Sequence, residues 1–185
     1  MSSNNPPEML QAVSDEIVQQ QDANQLIMDF DAGMPIYGIN FSNKKHAIDG
    51  GTLDESVFIG LTSCIPPNNV IMLLEMSETE KCIQKVAQIE EYYPCTKIQW
   101  IPRNEEYTDD VFATSSDSLR LYKPGVNQQQ NAYELERLLE LKNNSEYRGP
   151  LTSFDWNPNE MKTIATASLD TTVTIWDIES QKVIT

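Results

Sequence analysis

The stretch Ala165-Thr-Ala-Ser-Leu-Asp170-Thr-Thr-Val-Thr-Ile-Trp176-Asp177 decides how the rest of the chain is read. Two short runs rich in β-branched and aliphatic residues flank a polar turn. Asp170 sits in that turn, where its carboxylate can accept hydrogen bonds from the turn amides. Beyond the turn, Thr172 and Thr174 alternate with Val173 and Ile175, the period of a strand. Val173 and Ile175 then point to one side and Trp176 to the other. Apolar groups on both sides suit a sheet covered on both faces. A buried indole needs an acceptor for its N–H. Thr166 or Ser168, on the strand before the turn, can supply one.

Working outward, the same texture recurs. Thr152-Ser-Phe-Asp-Trp-Asn-Pro158 precedes the deciding stretch, Thr96-Lys-Ile-Gln-Trp-Ile-Pro102 lies further back, and Ile36-Tyr-Gly-Ile-Asn-Phe-Ser42 further still. Their aromatics fall at Trp156, Trp100 and Phe41, spaced by 56 and 59 residues. Each segment is followed by a second strand: Val57-Phe-Ile-Gly-Leu-Thr62, Val111-Phe-Ala-Thr-Ser115 and Thr163-Ile-Ala-Thr-Ala167. Third strands follow at Val70-Ile-Met-Leu-Leu74, Ser118-Leu-Arg-Leu-Tyr122 and Thr172-Val-Thr-Ile-Trp176. Fourth strands fit at 82–87, 134–141 and 182–185. Four strands per repeating unit is the make-up of a propeller blade. The predicted blades are 35–90, 95–143 and 150–185, the last cut short. Residues beyond the usual period fall in two predicted loops, 64–69 and 124–131, the second containing Gln128-Gln129-Gln130, and loops absorb insertions at little cost. The run 133–143 is composed of good helix formers, with Leu135, Leu138, Leu139 and Leu141 suited to one helix face. Its place as the fourth strand of a blade favours strand. Residues 1–25 are polar and predict a flexible tail, with a short helix possible over 8–21.

The 185 residues carry 13 Lys and Arg against 28 Asp and Glu, a net charge of −15. The cations, among them Lys44, Lys45, Lys81, Lys85, Lys97 and Arg103, form no cluster of the kind that displaces counterions from phosphate. Nucleic acid and anionic membrane are therefore poor direct partners. A basic protein partner is compatible with the charge, and so is plain solubility. Cys64, Cys82 and Cys95 are spaced by 18 and 13 residues, which matches no zinc knuckle or redox pair, so three free thiols are expected. No basic-then-apolar leader opens the chain, and no apolar run is long enough to span a bilayer. These features predict a soluble, intracellular protein, and the expected location is the cytoplasm and nucleus. Candidate catalytic groups are few. The lone His46, between Lys45 and Ala47, reads as a solvated loop histidine. Asp109 and Asp110, in Tyr107-Thr-Asp-Asp110, read as a surface turn. No glycine-rich phosphate loop is present. Catalytic, cofactor-binding and metal-ligating residues are expected to be none.

An Asp in the turn followed by alternating Thr and aliphatic residues and then Trp176-Asp177 is the WD-repeat signature. The chain resembles the Transparent Testa Glabra and anthocyanin-regulatory family of WD-repeat proteins, which includes the DDB- and cullin-associated factor seven of animals. The resemblance is carried by Tyr93-Pro-Cys-Thr-Lys-Ile-Gln-Trp-Ile-Pro102, Ala113-Thr-Ser-Ser-Asp-Ser-Leu-Arg120, Pro150-Leu-Thr-Ser-Phe-Asp-Trp-Asn157 and Ser168-Leu-Asp-Thr-Thr-Val-Thr-Ile-Trp176. It runs from about Leu26 to the end. It implies an all-β fold: a WD40 β-propeller, of which this chain supplies about three of seven four-stranded blades as an open arc over 26–185. It makes Trp100, Trp156, Thr166, Ser168, Asp170, Trp176 and Asp177 the structural repeat residues. The His that usually completes the network is missing; Glu90-Glu91-Tyr92-Tyr93-Pro94 stands at its place before the second unit. It implies that 26–31 is a strand closing the final blade. It implies a non-catalytic scaffold or adaptor for protein kinases or for transcription regulators. The alternative is a substrate receptor of a cullin-type ubiquitin ligase. Such receptors often carry Trp-Asp-x-Arg at the end of a third strand, and here Glu179 stands where Arg is wanted. Three blades cannot close a ring, so self-association through open blade edges is expected.

Overall fold

Alternating β-branched, aromatic and polar residues separated by turn formers give twelve strands. They are β1 (Ile36–Ala47), β2 (Glu55–Ser63), β3 (Asn69–Ser77), β4 (Cys82–Glu91), β5 (Lys97–Trp100), β6 (Phe112–Ser115), β7 (Leu119–Asn127), β8 (Ala132–Leu141), β9 (Leu151–Trp156), β10 (Thr163–Ser168), β11 (Val173–Asp177) and β12 (Lys182–Val183). The computed structural model describes residues 27–47, 55–63, 69–102, 110–130, 132–142 and 149–184. The tail over 1–25 and its candidate helix, Cys64, Arg103 and Asp109 lie outside the described residues.

The strands form three four-stranded antiparallel sheets, each a simple meander of consecutive strands. Each sheet is one blade, and the blades stack face to face in series. Phe58, Ile71 and Leu73 of the first meet Ile98, Trp100, Phe112 and Tyr122 of the second. Ala113, Leu119 and Leu121 of the second meet Phe154, Trp156, Ile164 and Trp176 of the third. No core cluster of the described residues joins the first blade to the third. At the first seam Gly60 is required: a Cβ there would stand 2.5 Å from Ile98 Cδ1, and the absent side chain lets the Phe58–Trp100–Phe112–Tyr122 ring series form.

The inner strands are stitched across the seams by polar contacts. Trp100 N donates to Asn40 Oδ1 (2.8 Å) and its indole Nε1 to Asn40 O (3.0 Å). Thr96 Oγ1 donates to Leu151 O (3.1 Å) and Lys97 Nζ to Phe154 O (2.6 Å).

Several expectations need correction. His46 is not in a loop: it lies in β1, opposite Ser56. Asp110 is not part of a surface turn. It is buried, and Ser42 Oγ donates to its two carboxylate oxygens at 3.0 and 2.9 Å. Ser42 follows Asn40 by two residues on β1 and shares its side, turned towards the second blade. The first half of the predicted loop over 124–131 is strand, because β7 continues through Pro124 and Gly125 to Asn127, paired with β8. Pro124 is tolerated because β6 pairs with β7 only as far as Tyr122, so the edge beyond has no ladder bond to lose. The helix-like run 133–143 is strand β8 as far as Leu141, as its place in the blade leads one to expect.

The strand expected over 26–31 has no ladder among its described residues, 27–31. The period of two is nevertheless present: Ile27, Asp29 and Asp31 are exposed while Met28 and Phe30 are half-buried. Phe30 and Met34 pack on Ile59, Leu61, Val70, Met72 and Leu74, the side of the first blade turned away from the second. Phe41, on the same strand position as Trp100 and Trp156, remains 52% exposed there, against 1% for each tryptophan.

Candidate functional site

The signature residues of the third blade divide into two indole ties and two turn caps. Trp176 is buried, and its Nε1 donates to Thr166 Oγ1 at 2.9 Å. Asp170 organises the β10–β11 turn: its Oδ1 accepts from Thr172 N (3.0 Å) and Thr172 Oγ1 (2.5 Å). Its Oδ2 reaches Gly149 N at 3.3 Å, and Ser168 Oγ donates to Gly149 O at 3.0 Å. The turn is thereby clamped to the crossing that enters the blade. Gly149 admits no side chain, since a Cβ would lie 2.6 Å from Asp170 N. Asp177, at the other end of β11, accepts from the amides of Glu179 (2.9 Å) and Ser180 (3.1 Å). Those bonds, with Ser180 the larger contributor, hold its carboxyl below the usual carboxylate range. Trp156 Nε1 donates to Met161 O at 2.7 Å. Every one of these groups is engaged in holding strands and turns together.

The second blade uses different chemistry at the same positions. Phe112 of β6 faces Trp100 and Tyr122 across the ladders, just as Ile164 of β10 faces Trp156 and Trp176. Tyr122 therefore stands where Trp176 stands, Thr114 where Thr166 stands, and Arg120 where Thr174 stands. The longer phenol reaches past Thr114, whose buried hydroxyl has no partner, and donates instead to Glu91 Oε1. Burial first, and then that bond, push the Tyr122 phenol far above its ordinary value. Glu91 lies at the place where the usual network has His.

Arg120 is the hub of this cluster and is buried with it. Its guanidinium lies 3.6 Å from Glu91 Oε2, 2.9 Å from Asp117 Oδ1 and 3.0 Å from Glu140 Oε1. Nη1 also donates to Ser116 Oγ at 2.5 Å. Burial opposes the positive charge, but the surrounding carboxylates, Glu91 foremost, outweigh it and raise the pKa. The cluster joins the end of β4, the β6–β7 turn, β7 and β8, so it locks the first blade to the second. Sequence reasoning missed Arg120, Glu91 and Tyr122 as a unit. The available signal was a charged residue at an inward strand position where the third blade carries Thr.

The loop leaving Glu91 bears Tyr92 and Tyr93, 82% and 48% exposed. Their rings meet edge to face with centroids 4.8 Å apart. Among the described residues no group of three or more His, Cys, Asp or Glu is arranged to hold a metal ion.

No family model matches the chain. It is 39% identical over 112 residues to the DDB1- and CUL4-associated factor 7 homolog of Dictyostelium discoideum, covering 60% of this chain and 34% of that protein. It is 32% identical over 172 residues to a WD repeat-containing protein of Schizosaccharomyces pombe, covering 85% of this chain and 39% of that one. These likenesses coincide with four-stranded blades and with the Trp176–Thr166 and Asp170 ties. The chain is a WD-repeat protein. A WD repeat-containing protein of Saccharomyces cerevisiae is 24% identical to it over 169 residues, 83% of this chain and 29% of that relative. The WD-repeat chain thus spans about a third of the length of these curated relatives.

Proposed function

We propose that this WD-repeat chain is a non-catalytic scaffold or adaptor that holds protein partners in the cytoplasm and nucleus. The observation that carries the reading is the use made of its polar residues. In the third blade the signature groups are consumed by internal ties. In the second, the dense cluster of ionisable groups around Arg120 is centred on Arg120 and Glu91, both buried between blades. Rigid layers with exposed connecting loops are suited to presenting recognition surfaces. Protein kinases and transcription regulators are the partner classes that the family resemblance implies.

The receptor reading has one specific support, the name of the Dictyostelium relative, a DDB1- and CUL4-associated factor homolog. Against it, Asp177 caps its own turn and Glu179, at the place of the wanted Arg, pairs with Lys162 at 2.5 Å. Affinity capture of the whole chain followed by mass spectrometry decides between them. Recovery of a kinase or transcription regulator supports the adaptor, recovery of a ligase adaptor subunit supports the receptor, and capture of neither removes both readings.

We further propose that the 185-residue chain by itself associates with its own kind through its two end faces. One carries Phe41 and Ile39, the other Val173, all 52–69% exposed. Sedimentation velocity is expected to show oligomers that grow with concentration; a concentration-independent monomer overturns this.

A further inference from the structure

The exposed aromatic pair after Glu91 is not required by the fold. Tyr92 and Tyr93 make their ring contact with each other, and no core cluster includes either. A pair of large exposed rings on a loop is the type of surface that dominates binding energy in protein interfaces, since tyrosine gives much contact area for few rotatable bonds.

The loop is held at both ends. On the entering side, Asn69 Nδ2 donates to Tyr92 O at 3.0 Å, and the Glu91 carboxylate is fixed by Tyr122 and Arg120. On the leaving side Cys95 is 1% exposed and Thr96 N donates to Ser115 O at 2.7 Å. Rings presented on an anchored backbone lose little conformational freedom when a partner arrives, which favours tight binding.

The charge around the loop specifies the partner's chemistry. Glu90 is exposed beside it, and the carboxylates of Asp117 and Glu140 are each about a third exposed to solvent in the adjoining cluster. The local cations are engaged: Arg120 is buried among carboxylates, and Arg137 Nη1 and Lys142 Nζ lie 3.9 and 3.3 Å from Glu140 carboxylate oxygens. The whole chain is at −15. A cation is attracted both by this field and by the face of a tyrosine ring.

We infer that the Tyr92-Tyr93-Pro94 loop is a docking platform for a lysine- or arginine-bearing segment of a protein partner. The inference rests on the adaptor reading and narrows it to one surface and one partner chemistry.

The test is fluorescence anisotropy with a labelled Arg-Gly-Ser repeat peptide and a Glu-Gly-Ser repeat of the same length, titrated with the whole chain. The arginine peptide is expected to bind and the glutamate peptide not. A Tyr92→Ala, Tyr93→Ala double variant is expected to bind the arginine peptide about tenfold more weakly, the scale of an interface hot spot. A Tyr92→Phe, Tyr93→Phe variant, which keeps the rings, is expected to retain most of the affinity. Thermal unfolding of the alanine variant should superimpose on that of the parent chain. Equal affinity in parent and alanine variant, or equal binding of both peptides, overturns the platform. Capture of the same proteins by parent and alanine variant leaves the adaptor standing and overturns the platform; capture of nothing by the parent chain removes both.

Discussion

Replacing Trp156 or Trp176 by alanine is expected to lower the stability of the chain by about 3–5 kcal/mol, the scale of an aromatic-to-alanine change in a packed core. Trp156 is 1% and Trp176 3% exposed, and both belong to the cluster that glues the third blade to the second. Two terms add. Removal of the rings leaves a cavity lined by Phe154, Ile164 and Leu121, and strands held in ladders cannot collapse fully to fill it. Removal of the indole also strips Thr166 Oγ1 of its donor in one case and Met161 O in the other. Phenylalanine separates the terms: Trp176→Phe keeps most of the apolar volume and loses the N–H, so it should cost only about 1–3 kcal/mol. Urea unfolding followed by far-UV circular dichroism measures both. A loss for Trp176→Ala no larger than that for Trp176→Phe would mean the ring is not a packing element.

The second large effect is expected at Arg120. Arg120→Ala should cost about 3–5 kcal/mol, because breaking a buried ion pair leaves the remaining charge without compensation. Three carboxylates converge on this guanidinium, and Glu91, the least exposed, would keep only the Tyr122 hydroxyl. The effect should depend on pH in a direction that can be worked out. Burial raises the Glu140 pKa, but the Ser118 hydroxyl and the Arg120 charge outweigh it, so the folded value is lowered. A folded pKa below the unfolded one adds stability at neutral pH that is lost as pH falls through the carboxylate range. Without Arg120 that acid-dependent loss should shrink. The gap between parent and variant, measured by urea unfolding, should therefore be wide at neutral pH and narrow towards pH ~4, near the ordinary carboxylate values. A gap that stays constant with pH would show that Arg120 acts through packing of its stem and not through its charge.

The third blade was legible in the sequence because its cues are local. Thr166, Asp170 and Trp176 sit within one hairpin, and their ties close over a few residues. The Arg120 cluster was not legible, since its partners lie on β4, β8 and the β6–β7 turn, and no short window contains them. Asp110 shows the same limit: read beside Asp109 it looked like a solvated turn, but Ser42, 68 residues earlier, buries with it. The course of β7 through Pro124-Gly125 was missed for another reason. That pair is a strong turn cue, and only the shortness of the neighbouring β6 makes proline harmless there. The continuation of β1 past its bulge between Phe41 and Lys45 to His46 was hidden likewise, because a bulge breaks the alternation on which strand reading depends.

The serial stacking of the blades governs how damage spreads. Among the described residues each blade shares a core with its immediate neighbour only, so these blades form energetically a short one-dimensional stack, with a stability that is the sum of blade terms and seam terms. The middle blade has a seam on each side, and the outer blades have one each. Fraying therefore begins at the ends and travels inward. A lesion in the first blade weakens the second before it reaches the third. The Arg120 cluster, lying on the seam between the first two blades, is then the rivet that decides whether loosening at the amino-terminal end stops there or opens the centre.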